Sequence, residues 1–221
     1  MGIAELNKIS HHLNIRSVFF FYGDAASEAL SQQIADDIGN HWNEPSGTAV
    51  IRREVYTVKF DITGIYEPLL EPEKVWYNDN PGLNFFRIEE YAKEDISFVD
   101  GLGCNTGYFK LANLLQTSTT AAHEYGHTLG LEHPDILDIR GQQIPGIMYP
   151  RGTICDPYLQ YDPMAAPAAY GGFLNPMHRK VLQSDIDLLK LHKLSFDDHG
   201  KAQVGEFSSI YHPKHTPALP G

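Results

Sequence analysis

The stretch AHEYGHTLGLEH, residues 122–133, constrains the fold of this chain more than any other part of the sequence. His123 and His127 are four residues apart, so in a helix they lie about 40° apart on one face, one turn from each other. Two imidazoles in this arrangement can bind the same metal ion. Glu124 is rotated by about a quarter turn from them. Its carboxylate can therefore reach a metal-bound water without being a ligand itself.

The residues after the second histidine predict a third ligand. Gly130 can end the helix because glycine adopts the left-handed backbone conformation without a steric penalty, and Pro134 prevents the helix from resuming. The chain then turns and brings His133 towards the other two imidazoles. Three neutral nitrogens and a water make a four-coordinate zinc site with one exchangeable position, which is typical of catalytic zinc. We therefore predict one Zn²⁺ bound by His123, His127 and His133, in preference to a helix with surface histidines.

A methionine follows the histidine motif at a short distance along the chain. Met148 lies in PGIMYP, fifteen residues after His133. The pattern H-E-x-x-H-x-x-G-x-x-H with a later methionine resembles the metzincin zinc proteases. Within that clan, TAAHEYGHTLGLEH, IMYP and SDIDLLKL make the chain similar to the matrixins. The resemblance implies that Met148 forms the floor of the metal site, and that Glu124 is the general base when a zinc-activated water hydrolyses a peptide bond.

The resemblance also implies a fold. We expect an α/β (α+β) metzincin fold, with a twisted mixed five-stranded sheet, an active-site helix and a loop-rich C-terminal lobe that ends in a helix. Residues 1–221 would form a single metalloprotease catalytic domain, with an upper subdomain of about 1–130 and a lower one of about 131–221. The matrixin pattern is incomplete, because no histidine falls between His41 and His123 to hold a structural zinc. The matrixin calcium loops have no clear counterpart either.

Three functional interpretations follow from these motifs. The first is a zinc endopeptidase that acts on protein or peptide substrates. Residues 156–189 resemble, more loosely, the metzincin-type toxin domains of bacterial polymorphic toxins. That resemblance implies a toxin or effector protease delivered to target cells, with a separate inhibitor or immunity protein as a partner. The third is a catalytically silent zinc-binding interaction module, against which Glu124 argues, because zinc binding alone does not require that carboxylate.

The charge balance excludes some partners. The formal net charge is −11, from 17 Lys and Arg against 28 Asp and Glu. This argues against nucleic-acid and anionic-membrane surfaces, which need clustered basic residues. The sequence has no apolar run long enough to span a bilayer and no signal-peptide pattern. We nevertheless expect the protein to be secreted or delivered outside the producing cell, because an unrestrained endopeptidase would harm it.

Periodicity predicts the main elements of the first half of the chain. Residues 15–23 are predicted to form a buried strand, and residues 47–67 one long strand, interrupted by a bulge. Three further short strands are predicted at LNFFRIEEY, ISFVDG and TGYFKLA. A helical stripe is formed by Leu30, Ile34, Ile38 and Trp42, which are spaced four apart.

Other expectations concern caps, the tail and single side chains. The metal-binding helix should begin near Ser118, capped by Ser118 or Thr119, and Ser184 should cap the last helix. The tail after Phe196 is predicted to be irregular. The two cysteines, Cys104 and Cys155, can form a disulfide or remain free, and the sequence leaves both open. The tyrosines of the expected cleft loop are read as packing residues, although one of them could assist an oxyanion; they are Tyr149, Tyr158 and Tyr161.

Overall fold

A mixed eight-stranded sheet organises the computed structural model, which describes residues 1–116, 119–142 and 144–217. The strands are β1 (Gly2–Asn7), β2 (His12–Tyr22), β3 (Thr48–Ile51), β4 (Glu54–Tyr66), β5 (Leu83–Glu89), β6 (Phe98–Val99), β7 (Thr106–Lys110) and β8 (Lys201–Val204). The central strand, β2, pairs in parallel with β4 on one side and with β5 on the other. β7 pairs in parallel with β5, and β6 pairs with β7 in the antiparallel sense and forms the edge of the strand order β3-β4-β2-β5-β7-β6.

Five α-helices accompany this sheet in the described part of the chain. They are α1 (Glu28–Asn43), α2 (Pro72–Trp76), α3 (Leu111–Gln116), α4 (Thr119–Thr128) and α5 (Gln183–Leu188). In α1 the predicted stripe is buried against the sheet, and the Ser27 hydroxyl caps the helix by accepting the Leu30 N–H at 3.2 Å. The mixed sheet, the predicted strand at residues 15–23 and the predicted helix α1 are confirmed. No described helix has both the length and the apolar character that a membrane span requires.

The long strand predicted over residues 47–67 is wrong, because the chain folds back within it. β3 and β4 form an antiparallel hairpin in which Ile51 pairs with Glu54. Arg52 and Arg53 make the turn, with φ of 51° and 71°. Positive φ at both central residues matches the twist of the flanking strands, and Asn-Gly or Asp-Gly usually supplies it. Two arginines are a poor sequence signal for such a turn, and a bulged strand was therefore the simpler prediction.

The C-terminal segment adds to the sheet, so the irregular tail predicted after Phe196 is wrong for residues 201–204, whereas the described residues after them contain no further helix or strand. β8 pairs with β1 in the antiparallel sense, and β1 pairs with β2. Ala202 and Val204 are buried, whereas Lys201 and Gln203 are exposed, as expected for a strand with one covered face. The sheet therefore has eight strands and not five, and the last element of the described residues is the strand β8 and not a helix.

The cap predicted for the last helix is replaced by another residue. Ser184 lies inside α5, and the Asp185 carboxylate accepts the Leu182 N–H at 2.7 Å. Burial raises the pKa of Asp185, against backbone N–H groups of Leu182 and Ile147 that favour the charged form. Asp185 therefore links the start of α5 to the segment that contains Met148.

The segment between α4 and α5 is rich in loops, as the sequence predicted. It has a small apolar cluster of its own, formed by Ile139, Cys155, Leu159 and Leu174, with Tyr149 packed against it. Cys155 is buried in this cluster, and Cys104 is half-buried elsewhere; both are free thiols. The question of a disulfide is thus resolved in favour of two thiols.

The close approach of α1 to β4 gives a testable prediction about stability. A Cβ added to Gly64 would lie 2.1 Å from the backbone oxygen of Ser31, so the helix would have to move. We expect Gly64→Ala to lower the free energy of unfolding by about 1–3 kcal/mol in urea denaturation. The matched control is Gly39→Ala, where the nearest atom to the new Cβ is Ile62 Cγ1 at 3.9 Å. It should raise stability by up to about 1 kcal/mol, and equal losses in both variants would contradict this packing.

Candidate metal centre

Helix α4 carries the first two histidines and is buried over nearly all of its length. The Trp42 indole of α1 donates to the Ala122 carbonyl at 3.0 Å and holds the helix from one side. At the start of α4, the Thr119 hydroxyl donates to the Pro176 carbonyl at 2.8 Å. The other candidate for the cap, Ser118, lies outside the described residues. Helix α4 is therefore held by both α1 and the loop-rich segment.

The end of α4 follows the predicted mechanism. Gly130 has φ of +93° and donates its N–H to the His127 carbonyl at 3.0 Å. The Leu131 N–H bonds to the Gly126 carbonyl at 3.0 Å. Together these two bonds form a Schellman motif, which ends a helix and reverses the chain. The reversal returns His133 to the face that carries the other two imidazoles.

The three imidazoles meet at one point. Their Nε2 atoms are separated by 3.0 Å between His123 and His133, 3.2 Å between His123 and His127, and 3.1 Å between His127 and His133. Zinc–nitrogen bonds of about 2.0–2.1 Å in a tetrahedral site place nitrogens roughly 3.3 Å apart. The triangle is close to that size, so a single ion can contact all three nitrogens.

Hydrogen bonds to backbone carbonyls orient two of the imidazole rings, so that the Nε2 atom of each faces the centre of the triad. His123 Nδ1 lies 2.8 Å from the Ile147 carbonyl oxygen, and His127 Nδ1 lies 2.7 Å from the Leu131 carbonyl oxygen. A carbonyl oxygen can only accept, so each Nδ1 carries the ring proton. The Nε2 lone pairs therefore face one another, which is unfavourable without a cation. This arrangement of outer carbonyls is typical of metal-binding histidines.

The protonation state of the three histidines is also the one that metal binding requires. Burial lowers the pKa of His127 to about 4, and it lowers the pKa of His123 well below the usual value. Burial also lowers the pKa of His133, and the positive charge of Arg179 acts in the same direction. The imidazoles are thus neutral at pH 7, as metal ligands must be. Three neutral nitrogens, on one buried, one half-buried and one exposed histidine, can hold a metal ion such as zinc.

Glu124 lies beside the triad and is buried. Burial raises its pKa to about 8, while the guanidinium groups of Arg179 and Arg151 act to lower it. A carboxyl group whose pKa is near the working pH can both accept and return a proton. Glu124 has therefore the position and the chemistry of a proton-transfer group.

Met148 lies beneath α4. A Cβ added to Gly126 would be 2.3 Å from the Met148 sulfur, which shows how closely the thioether approaches the helix backbone. Met148 is buried, and the carbonyl of its neighbour Ile147 is the one that orients His123. The structure therefore brings the Met148 segment to the metal site. The sequence analysis did not identify Gly126 as a site residue. Because it has no side chain, the Met148 sulfur can approach the helix backbone between the two histidines.

A cavity of about 320 Å³ opens beside the triad. We call it the basic cavity, because Arg151 and Arg179 form part of its lining together with His123, His133, Glu124 and Asn113. A second cavity next to the triad is lined by residues of β6 and its neighbours together with the three histidines. The two cavities share His123, His133 and Glu124 in their linings.

Arg179 is the main site residue that the sequence analysis missed. It donates from Nη1 to the Tyr149 carbonyl at 3.0 Å and from Nη2 to the Thr119 hydroxyl at 2.9 Å. Its Nη1 also lies 3.0 Å from His123 Nδ1, but that ring proton is already directed to the Ile147 carbonyl. Burial lowers the pKa of Arg179 to about 10, so the side chain remains charged at neutral pH.

The tyrosines of the loop-rich segment do not reach the site. Among the described residues that line either cavity next to the triad, none is Tyr149, Tyr158 or Tyr161. Tyr149 packs against the cluster around Cys155, and the other two are largely exposed. The interpretation of these residues as packing or surface aromatics is favoured over a role at an oxyanion.

Comparisons with known proteins add little to this geometry. No family model matches the chain, and no curated protein matches it. Among solved structures, the chain is similar to the structure of myroilysin, with 14% identity and a TM-score of 0.30 over 65% of this chain. The chain spans about 60% of the length of that protein's chain. Such values are too low to assign a family or to transfer a function.

Proposed function

We propose that this protein is a zinc-dependent endopeptidase of the metzincin type, with Glu124 as its general base. The observation that carries the proposal is the convergence of three Nε2 atoms next to a buried carboxyl group. Three protein ligands leave one position of a tetrahedral ion open, which is how catalytic zinc sites differ from structural ones. The matching sequence pattern supports the same conclusion.

Zinc is the metal that fits this donor set best. Three imidazoles form a borderline-soft site, whereas calcium and magnesium prefer oxygen ligands. When bound, zinc supplies Lewis-acid chemistry: it lowers the pKa of a water towards about 7 and polarises the scissile carbonyl. The carbonyls of Ile147 and Leu131 keep the ligand rings in the required tautomer. They therefore also fix the position of the ion relative to Glu124.

Glu124 performs the proton transfer in the proposed mechanism. Its carboxylate accepts a proton from the attacking water and then delivers it to the nitrogen of the leaving amine. Glu124 lines both cavities next to the triad, which supports its assignment to both proton transfers. Arg179 holds the Tyr149 carbonyl and Thr119 together and so keeps the start of α4 against the loop-rich segment.

The edge strand β6 is the proposed support for an extended peptide or protein substrate. β6 pairs with β7 on one side only, so its other side offers backbone N–H and C=O groups. Phe98 and Val99 of β6 line the second cavity, next to His127 and Glu124. A substrate strand added to this edge would cross the metal position, which is a common mode of peptide recognition.

The rival interpretation, a zinc-binding module without catalysis, is less consistent with the site. Zinc binding requires the three histidines but does not require a buried carboxyl group beside them. Burying an ionisable group is unfavourable unless it is compensated, and this burial is the largest influence on the pKa of Glu124. The burial of the Glu124 carboxyl group despite this unfavourable energy therefore supports a role in catalysis.

Metal content provides the direct test of this proposal. We expect elemental analysis of the purified protein to give about one zinc per chain, because the described residues form a single three-histidine group. A zinc chelator should abolish hydrolysis of a casein or peptide substrate, and added zinc should restore it. His127→Ala should lose both zinc and activity, whereas His199→Ala, at an exposed position away from the triad, should keep both. A metal-free parent protein, or activity that survives complete chelation, would contradict the proposal.

A further inference from the structure

The basic cavity has a charge that is opposite to that of the whole chain. The protein carries a formal net charge of −11. The charged side chains that line this cavity are nevertheless two arginines, Arg151 and Arg179, and one acid, Glu124. A bound divalent ion would make the cavity still more positive. The charge of the lining is therefore a local feature of the site and not a consequence of composition.

Arg179 is held rigidly in the wall of this cavity. It is 4% exposed, and its two terminal nitrogens donate to the Tyr149 carbonyl and the Thr119 hydroxyl. Within the described parts of the chain, no carboxylate forms an ion pair with it, and its Nε atom is buried without a hydrogen-bond partner from the protein. A buried arginine usually has an acidic partner. The acidic side chain that shares the cavity with Arg179 is Glu124, and no direct ion pair joins the two in the described residues.

Arg151 is the exposed member of the pair. Its Nη2 donates to the Asn113 side-chain oxygen at 3.1 Å, and the Asn113 amide nitrogen donates to the Ser97 hydroxyl at 3.2 Å. Asn113 and Ser97 also line the cavity, so these contacts hold the guanidinium at the cavity. Arg151 likewise forms no ion pair with any acid in the described residues. Arg151, whose side chain is exposed, therefore remains available to a ligand, and Arg179 adds a buried positive charge to the cavity wall.

We propose that the basic cavity binds a carboxylate of the substrate at the residue next to the scissile bond. Arginine forms strong, two-point hydrogen bonds with carboxylates, and these bonds are favoured where water is partly excluded. The cavity volume of about 320 Å³ leaves room for a side chain, and the positive charge of the lining favours an acidic one. The carboxylate belongs either to an acidic side chain or to the substrate's C-terminus. This inference rests on the proposed function for the position of the scissile bond.

The first test measures cleavage preference in a matched peptide series. The peptides have amidated C-termini and differ only in Glu, Gln, Leu or Lys at the positions that flank the cleaved bond. We expect kcat/KM to be at least about tenfold higher for Glu than for Gln at one of these positions, and lowest for Lys. A preference for Leu, or equal rates for Glu and Gln, would overturn the inference for a side-chain carboxylate while leaving the peptidase proposal intact.

Charge reversal separates recognition from structural support. Arg151→Glu should invert the preference, so that the Lys peptide is cleaved faster than the Glu peptide, because the cavity then presents an opposite charge. The matched control is Arg53→Glu, which makes the same charge change in the exposed β3–β4 turn. It should keep the preference of the parent. If Arg151 only supported the structure, Arg151→Glu would lower the rates for all peptides and leave the preference for Glu unchanged. That result would contradict the inference.

A binding measurement tests the cavity without relying on turnover. The protein is Glu124→Gln loaded with zinc, and the readout is the fluorescence anisotropy of labelled peptides. An amidated peptide with an internal Glu should bind at least about tenfold more tightly than its Gln counterpart, and Arg151→Glu in this background should remove the difference. If instead only a neutral peptide with a free C-terminus binds in an Arg151-dependent manner, the carboxylate is the terminal one. Charge-dependent binding without hydrolysis by the parent would refute the peptidase proposal alone, and charge-independent binding would refute this inference alone.

Discussion

Glu124→Gln is expected to lower kcat/KM for peptide hydrolysis by about 10²–10⁴-fold while zinc stays bound, because the change removes the proton acceptor and spares the three imidazoles. Glutamine has nearly the same shape, so the buried site should keep its packing. The measurement combines steady-state hydrolysis of a peptide with elemental analysis of the same sample. A matched control is Glu132→Gln, an exposed glutamate next to His133 that lines neither cavity.

The outcome of this experiment separates the two interpretations of the metal site. A variant that retains zinc and loses hydrolysis, beside a fully active Glu132→Gln, supports Glu124 as the general base. A Glu124→Gln protein that cleaves peptides as fast as the parent would refute the mechanism. A parent protein that binds zinc but shows no hydrolysis of any peptide in a broad library would instead favour a zinc-binding module.

Trp42→Ala should produce the largest loss of stability among single changes near the site. Trp42 is fully buried, donates to the Ala122 carbonyl of α4, and packs edge-on against Tyr125 with ring centres 5.7 Å apart. Truncation of such a residue leaves a large cavity and costs about 3–5 kcal/mol. This is a large part of the roughly 5–15 kcal/mol that stabilises a typical domain. Urea denaturation followed by far-ultraviolet circular dichroism would measure the loss.

The second tryptophan provides the control for this prediction. Trp76 lies in α2 and is 49% exposed, so Trp76→Ala should change the free energy of unfolding by no more than about 0.5 kcal/mol. Because Trp42 holds the helix that carries His123 and His127, its replacement should also weaken zinc binding. Similar stability losses for the two variants would show that α1 does not support α4 in the way described.

Much of the candidate site could be predicted from the sequence because its geometry is local. His123 and His127 share a helix face whenever the segment is helical. Gly130, with φ of +93°, reverses the chain and returns His133 to the same face. All of these interactions lie within eleven residues, so the sequence pattern determines them almost without help from the rest of the fold.

The errors in the predicted fold have a common physical cause. The β3–β4 turn is made by Arg52 and Arg53, which have no strong turn preference, and pairing of the flanking strands imposes their positive φ. β8 is only four residues long, and its register depends on pairing with β1, nearly two hundred residues earlier. Short strands of this kind gain their stability from the neighbouring strand, and the local sequence therefore carries little signal for them.

The spacing of histidines and glycine thus determined by itself that this chain can gather three imidazoles and a carboxyl group. Tertiary structure alone decided the character of the adjoining cavity. Arg151 and Arg179 lie in separate loops, and the groups that orient them are Asn113 in one case and Tyr149 and Thr119 in the other. The neighbours of each arginine in the sequence resemble those of a solvated surface residue. Only long-range packing converts these two residues into the wall of a positively charged cavity, because their positions depend on contacts between segments that are far apart in the chain.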